Sequence, residues 1–463
     1  MIKKEASLSQ ELNTLVAKDR KFSNQEAMLK EMRKARMKLA KEKREQTKQK
    51  NKQKKLDKAT SWQQTQLENI IYLGPGVSAG LNNTVSDSTI LQQFGLPVFP
   101  NIPSLANAMQ VDLATLRYLL YQRKVSRTNH YHVFEVPKKS GGKRRISAPK
   151  KQLKKLQLWV LNNVLCHLPN ETVAHGFIRQ RSIVTNAAPH VGKDIIVNVD
   201  LKDFFPTITY ARVKGVFKKL GYSEQQAIIF ALICTQAETE EVEMDGVKYY
   251  VQNGKRCLPQ GSPASPAISN IIAYKLDKKI QGLAAKLNFA YTRYADDLTF
   301  STTNDNAKQI TKLLYLIKKI VTAEGFEVHP GKTHIMRKGG QQKVTGIVVN
   351  KQLNVERSQL RKFRALLHNL QMNGWKDQQW GNAKHLVNAV EGYINFVNMV
   401  NPVKAKLYKT QLEKIVATHG YPLVDNTMPK PTVTTVVAEV KETLIPTVAK
   451  EKSADKTDWW SVF

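Results

Sequence analysis

Residues 195–199, Ile-Ile-Val-Asn-Val, are apolar at all but one position, which predicts a strand buried on both faces, and the run ends at Asp200. Two more strand-like runs, residues 289–293 and 298–301, flank Tyr294-Ala295-Asp296-Asp297 and predict a hairpin with two acids at its tip. Helical periods lie on either side of this central region. Leu105, Met109, Leu113, Leu116 and Leu120 recur every three or four residues, predicting a helix across residues 103–124. After Val349 the spacing returns in Leu360, Phe363, Leu366, Leu367 and Leu370, then Leu386, Val390, Tyr393 and Phe396, then Leu407 and Leu412, predicting a helical unit. Residues 18–58 are dense in lysine, arginine and glutamine, with sparse apolar positions such as Met28, Leu29, Met32, Met37 and Leu39. A long basic helix, partly disordered in isolation, is expected there.

Composition marks the joints. Residues 74–88 are rich in Gly, Ser and Asn and read as a linker. Residues 422–456 are rich in Pro, Thr, Val, Lys and Glu with no lasting period, predicting a flexible tail. That tail ends Asp458-Trp459-Trp460-Ser461-Val462-Phe463. The aromatic cluster reads equally as a docking peptide for a partner or a second copy of the chain, and as a segment tucked against the helical unit. A length of 463 residues accommodates two or three domains with a sizeable core.

Charge narrows the class of partner. Seventy-two lysines and arginines face 38 acids, a formal net charge of +34, well beyond what solubility requires. The excess favours a polyanion, with binding that weakens steeply in salt. An anionic membrane surface would suit the same charge. No apolar run is long enough to span a bilayer, however, and the N-terminus has no hydrophobic signal region, so a soluble intracellular protein is expected. Cys166, Cys234 and Cys257 are widely spaced, without zinc-like pairing, and read as reduced thiols.

The candidate chemistry sits in the acids. Adjacent carboxylates at a tight turn repel one another unless a cation compensates, and hard oxygen ligands suit magnesium. Asp200 at a rigid strand end, facing the Asp296-Asp297 hairpin, supplies the third carboxylate that two-metal phosphoryl transfer needs. Taken singly, the tetrapeptide reads equally as a solvated Asp-Asp turn, and Asp200 as a helix N-cap.

The ordered blocks resemble the right-hand polymerases, and among them the reverse transcriptases. Residues 138–145 (KKSGGKRR), followed by Ile146-Ser147-Ala148-Pro149, look like a basic fingers hairpin. Leu201-Lys202-Asp203-Phe204-Phe205-Pro206 follows Asp200, Leu258-Pro259-Gln260-Gly261-Ser262-Pro263 precedes a helix-like stretch, and the Tyr-Ala-Asp-Asp turn and residues 325–332 complete the series. The resemblance covers about residues 100–415 and implies an α+β fold: a right hand whose fingers and palm combine antiparallel sheet with helices, a helical thumb, and a basic helical N-terminal extension. It implies an extension at 1–73, a linker at 74–100, N-terminal helices and fingers at 101–195, a palm with fingers insertions at 196–350, a thumb at 351–420 and a flexible tail with an aromatic terminus at 421–463.

The resemblance also implies roles. Asp200, Asp296 and Asp297 would hold two Mg2+ ions and catalyse nucleotidyl transfer from deoxynucleoside triphosphates. Phe205, five residues after Asp200, matches the bulky aromatic beneath the sugar of the incoming nucleotide, where a 2'-hydroxyl would clash. Gln260 looks like the residue that orients this nucleotide, the glycine after it allowing close backbone approach. Lys143, Arg144 and Arg145 would contact the triphosphate, with Asp203 in the same nucleotide-binding set. Lys332 matches the lysine proposed to protonate the leaving pyrophosphate. Each position keeps a plainer reading as a core aromatic, an ordinary Pro-Gly turn, a solvated basic turn or a surface lysine.

Two further blocks are similar to signatures of the bacterial retron reverse transcriptases. Asn186-Ala187-Ala188-Pro189-His190 fits Asn-Ala-x-x-His, and Val344-Thr345-Gly346 fits Val-Thr-Gly. Residues 174–177 and 292–294 also resemble this group. The resemblance implies a cognate structured non-coding RNA, priming from an internal guanosine 2'-hydroxyl, and a branched RNA-DNA hybrid (msDNA) in anti-phage defence. Asn186, His190, Val344, Thr345 and Gly346 become RNA-recognition candidates. Arg361, Lys362 and Arg364 of the thumb, and the basic N-terminal helix, are expected on nucleic acid. An effector protein and a second copy of the chain are further candidate partners; no membrane association and a bacterial cytoplasmic location are expected. The rival readings are a group II intron or diversity-generating reverse transcriptase, and a non-catalytic RNA-binding scaffold with a palm fold.

Overall fold

Two units divide the chain, Met1–Ile71 and Tyr72–Phe463. The computed structural model describes residues 1–138, 141–169 and 171–421. The expected tail therefore lies outside the described residues, apart from Tyr421.

The first unit consists of α1 (Ile2–Phe22) and α2 (Gln25–Glu68). Asn24 starts α2 by accepting a hydrogen bond from the Ala27 N–H. The 44 residues that follow contain neither proline nor glycine and are mostly Lys, Arg, Glu, Gln, Ala, Leu and Met, the strongest helix formers. They form one continuous helix, as the basic run predicted.

Residues 74–100 are not a linker. Val77, Leu81, Leu91, Leu96 and Phe99 are buried, and α3 (Ser88–Gln93) is capped by the Asp87 side chain. The Asp87 N–H donates to Gly221 O at 2.7 Å, and the Gln225 N–H to Asn83 O at 3.0 Å. The helix expected over 103–124 divides into α4 (Ile102–Ala108) and α5 (Leu113–Leu120). Gln110 takes a left-handed φ of 55° between them, and Asp112 caps α5 by accepting from the Thr115 N–H.

The fingers follow. After the short β1 (Val125–Ser126), β2 (Tyr131–Pro137) and β3 (Lys143–Pro149) form an antiparallel hairpin, and α6 (Lys151–Asn163) runs on from it. Next come α7 (Ile183–Ala187), β4 (Ile195–Asp200), α8 (Tyr210–Lys219) and α9 (Glu224–Cys234), which is buried on every side. β5 (Gln236–Met244) and β6 (Val247–Cys257) make a long hairpin that joins β1 in a sheet of order β1-β6-β5.

The palm sheet is assembled from α10 (Ser265–Ile272), α11 (Tyr274–Lys286), β7 (Ala290–Tyr294), β8 (Asp297–Thr302), α12 (Ile310–Ala323) and β9 (His334–Arg337). Its antiparallel order is β7-β8-β4-β9, so β4, the apolar run of the sequence, is central. β10 (Lys343–Val344) and β11 (Ile347–Val348) form a minimal hairpin. The C-terminal helices α13 (Arg357–Asn373), α14 (Leu386–Val400) and α15 (Pro402–His419) pack around Phe363, Leu367, Leu370, Val390, Val397 and Ile415. Leu407, expected on that core face, is 67% exposed.

Candidate active site

Asp200 closes β4 and Asp297 opens β8, and the two are cross-strand partners. Directly opposed residues hold their Cβ atoms roughly 5 Å apart on one face of the sheet. Asp296 occupies the turn between β7 and β8, where the Leu201 N–H donates to its carbonyl at 2.9 Å. The backbone of Asp200 is held as well, its carbonyl accepting from the His329 N–H at 2.8 Å. The same segment carries Lys332, whose Nζ lies 3.0 Å from Asp200 Oδ2. The three acids and the lysine named from sequence thus come together.

Their electrostatics ask for a cation. Burial, then the charges of Asp296 and Asp200, push the Asp297 carboxyl up to about 6. Asp297 is exposed to water by surface area, which tempers this rise. Asp296 is also raised, by burial and by Asp200, against the opposing pull of its own backbone N–H, Arg144 and Lys332. Among the described residues no group of three or more His, Cys, Asp or Glu side chains is placed, as it stands, to hold a metal ion. Magnesium retains several waters and takes one or two carboxylates plus substrate phosphates, so an open acidic set fits it.

The hairpin tip is braced from behind. Arg293, fully buried on β7, donates from Nε to Asp277 Oδ1 at 2.8 Å and from Nη2 to Asp277 Oδ2 at 2.6 Å. Its Nη1 donates to Ala295 O at 3.1 Å and to Asn270 Oδ1 at 3.0 Å. Asn270 Nδ2 in turn donates to Gly176 O at 2.9 Å. Gly176 lies under the turn, where a Cβ would come within 2.6 Å of Ala295 N. Ala295 itself is left-handed, φ 57°, so this scaffold holds a backbone shape rare for alanine. Asp277, Asn270 and Arg293 were not singled out as site residues in the sequence. The available signal was an arginine inside a strand-like run, which demands a buried partner.

The nucleotide-binding candidates divide. Phe205 is half-buried, edge-on to Phe177 at 6.4 Å, and Phe177 in turn lies 6.2 Å from Tyr294. Phe204 is the core ring, buried and stacked on Phe326 at 5.4 Å. Successive side chains of β3 alternate faces. Lys143 pairs with Glu135 at 2.8 Å and Arg145 with Glu238 at 3.1 Å, while Arg144, pointing the other way, lowers the Asp296 carboxyl. The Gln260 carbonyl accepts from the Ser147 N–H at 2.7 Å. A Cβ on Gly261 would sit 2.8 Å from Ser147 O, so the close approach this glycine permits is to β3. Asp203 is exposed in the turn after β4 with a left-handed φ of 46°, and its carbonyl accepts from the Thr207 N–H.

Of the RNA-recognition candidates, Thr345 is half-buried and Gly346 exposed, and the other three lie inside. Asn186, His190 and Val344 are all fully buried. His190 Nδ1 lies 2.7 Å from Ser301 Oγ and Nε2 lies 2.8 Å from Thr292 Oγ1, inside the palm. Burial pushes this histidine down to about 3, so it is neutral. Thr345 takes φ 47°, Gly346 φ 85°, and the Thr345 hydroxyl donates to Ile183 O at 3.3 Å. Ala187, Val344 and Ile347 share one apolar cluster with Ile196 of β4 and Phe363 of α13. The two blocks therefore meet where palm and C-terminal helices join.

Residues 136–364 match the family model described as reverse transcriptase (RNA-dependent DNA polymerase). The chain is 41% identical over 340 residues to the retron Mx162 reverse transcriptase of Myxococcus xanthus, covering 70% of this chain and 69% of that one. It is 40% identical over 326 residues to the retron Mx65 reverse transcriptase of the same organism, covering 70% and 74%. With the retron Ec86 reverse transcriptase of Escherichia coli it shares 33% identity over 333 residues, 71% of this chain and 94% of that one.

Proposed function

Because the chain belongs to the retron reverse transcriptases and is thus an RNA-directed DNA polymerase, we propose that it copies part of a cognate structured RNA into a branched RNA-DNA hybrid (msDNA), serving in phage defence. The observation that carries the catalytic part is the cross-strand pairing of Asp200 with Asp297, beside Asp296. The branched product is supported by the relatives and by the two signature blocks.

In this reading Asp200, Asp296 and Asp297 hold two magnesium ions, which when bound would supply charge compensation and Lewis acidity for nucleotidyl transfer. The residues of the chain do the rest. Phe205, with Phe177 and Tyr294 behind it, sets the floor under the sugar and disfavours a 2'-hydroxyl. Arg144 is the cation of the fingers hairpin that offers charge to a triphosphate; Lys143 and Arg145 first have to leave Glu135 and Glu238. Gln260, its backbone fixed to β3, positions the nucleotide. Lys332 neutralises Asp200 and stands ready to deliver a proton to the leaving group. A cationic chain of this size binds many polyanions, so affinity alone does not identify the template.

The test is to purify the protein from cells carrying its native flanking locus and sequence the bound nucleic acid with and without debranching enzyme and RNase. A discrete small DNA joined to RNA through a debranching-sensitive linkage is expected. RNA without attached DNA, alongside activity on a generic primed template, would point to a different template and product.

A further inference from the structure

A half-open cavity of about 380 Å³ lies in the fingers, between α5, the start of β2 and the β5-β6 hairpin. It contains none of the three acids of the active site, and its volume falls in the range of small-ligand sites. Its wall has two chemical characters.

One is positive charge. Arg123 and Arg256 line the cavity, and no aspartate or glutamate does. Arg256 forms the floor. Its Nε donates to Thr235 Oγ1 at 3.2 Å and its Nη2 to Leu232 O at 3.1 Å, with further bonds to Gln122 Oε1 and Thr235 O. All these partners are neutral, and among the described residues no carboxylate forms an ion pair with it. Burial pushes the guanidinium down to about 10, so it remains charged at neutral pH. A buried cation satisfied only by dipoles leaves the cavity attractive to an anion.

The other character is aromatic. The Arg123 guanidinium lies 5.0 Å from the centre of the Tyr121 ring, and Tyr118, 53% exposed, stands edge-on to His130 at 5.1 Å. Tyr250 adds a third tyrosine from β6. Arginines beside an exposed tyrosine such as Tyr118 are the composition of base-stacking sites on single-stranded nucleic acid.

We propose that this cavity binds one unpaired nucleotide of an RNA strand, its base against Tyr118 and its phosphate toward Arg123 and Arg256. The inference rests on the reading of the protein as an RNA-copying polymerase and adds a site to it. A strand is favoured over a free nucleotide because the mouth is open and the adjoining chain carries exposed Lys124 and Arg127. Position supports a link to synthesis: Arg256 lies four residues before Gln260 on the same run of chain.

The test uses the full chain, freed of co-purified nucleic acid, a fluorescent random-sequence RNA decamer, and AMP or GMP as mononucleotide probes. Tyr118→Ala/Arg123→Ala should bind the decamer on the order of ten-fold more weakly at matched salt, and Arg123→Glu alone should show a similar loss. Both variants should keep the wild-type Tm and far-UV circular dichroism, which reports that they are folded. Decamer affinity within two-fold of wild type in both variants would overturn the proposal. Tight AMP or GMP binding lost in the variants, with decamer affinity unchanged, would overturn the strand assignment in favour of a free nucleotide. Should wild type fail to extend any primer while the decamer difference persists, the polymerase reading fails and the nucleotide site stands.

Discussion

Arg293 and Asp277 form a fully buried bidentate ion pair behind the turn that carries Asp296, and the guanidinium that makes it also holds the Ala295 carbonyl. The pair couples α11 to the only stretch of backbone on which two acids stand side by side at the site. Removing one partner strands a charge in the core. Arg293→Met or Asp277→Leu should therefore cost about 3–5 kcal/mol, read by urea unfolding. The paired change Arg293→Met/Asp277→Leu should cost less than the sum of the two, because no lone charge remains.

Phe205 is half-buried beside Phe177, while its neighbour Phe204 belongs to the core. Phe205→Ala should raise ribonucleotide incorporation relative to deoxynucleotide incorporation on the order of ten- to a hundred-fold, in primer extension with each triphosphate separately. Phe204→Ala should instead destabilise the fold, by roughly 3–5 kcal/mol. An unchanged ratio in Phe205→Ala would remove the steric role.

The raised Asp297 carboxyl gives the site a pH signature. Its folded value, about 6, lies above the 3.8 of an ordinary aspartate, so the cation-free fold binds more protons than the unfolded chain between these values. The stability this provides is present below about pH 4 and is lost as pH rises toward 6. The Tm of the cation-free protein should fall over that window more than the Tm of Asp297→Asn does. Magnesium, which needs the ionised form, should bind more tightly as pH rises through about 6, seen as a falling half-saturating concentration in primer extension.

His190 is a structural histidine in this fold. His190→Ala leaves the Ser301 hydroxyl short of its partner and should cost roughly 1–3 kcal/mol by thermal or urea unfolding. RNA affinity at a temperature where the variant is folded should stay within two-fold of wild type. A selective loss of RNA affinity with unchanged stability would restore the recognition role.

Local chemistry was legible in the sequence where one run of residues carried it. The apolar run before Asp200 and the two runs around Tyr294-Ala295-Asp296-Asp297 foretold the central strand and the hairpin. The helical spacing after Val349 likewise foretold three packed helices, though not the exposure of Leu407. Depth was not legible. A motif such as Asn-Ala-x-x-His shows polar residues but not that His190 meets Ser301 and Thr292, over a hundred residues away, inside the sheet. In residues 74–100 the Gly, Ser and Asn masked the sparse leucines that bury against the α8-α9 turn. The Arg293–Asp277 pair joins a helix to a strand, and nothing in either run names the other. Lys143, Arg144 and Arg145 were read alike from sequence, and the acidic partners that set Lys143 and Arg145 apart from Arg144 were not legible there.

The most direct test of the account is Asp296→Asn/Asp297→Asn, with DNA synthesis on a primed RNA template and capture of the co-expressed flanking-locus RNA measured on the same preparation. Synthesis should be abolished, with RNA capture and Tm at neutral pH equal to or above wild type, since the repelling charges are gone. Residual synthesis comparable to wild type, or RNA capture falling in step with synthesis, would contradict a catalytic role for these carboxylates.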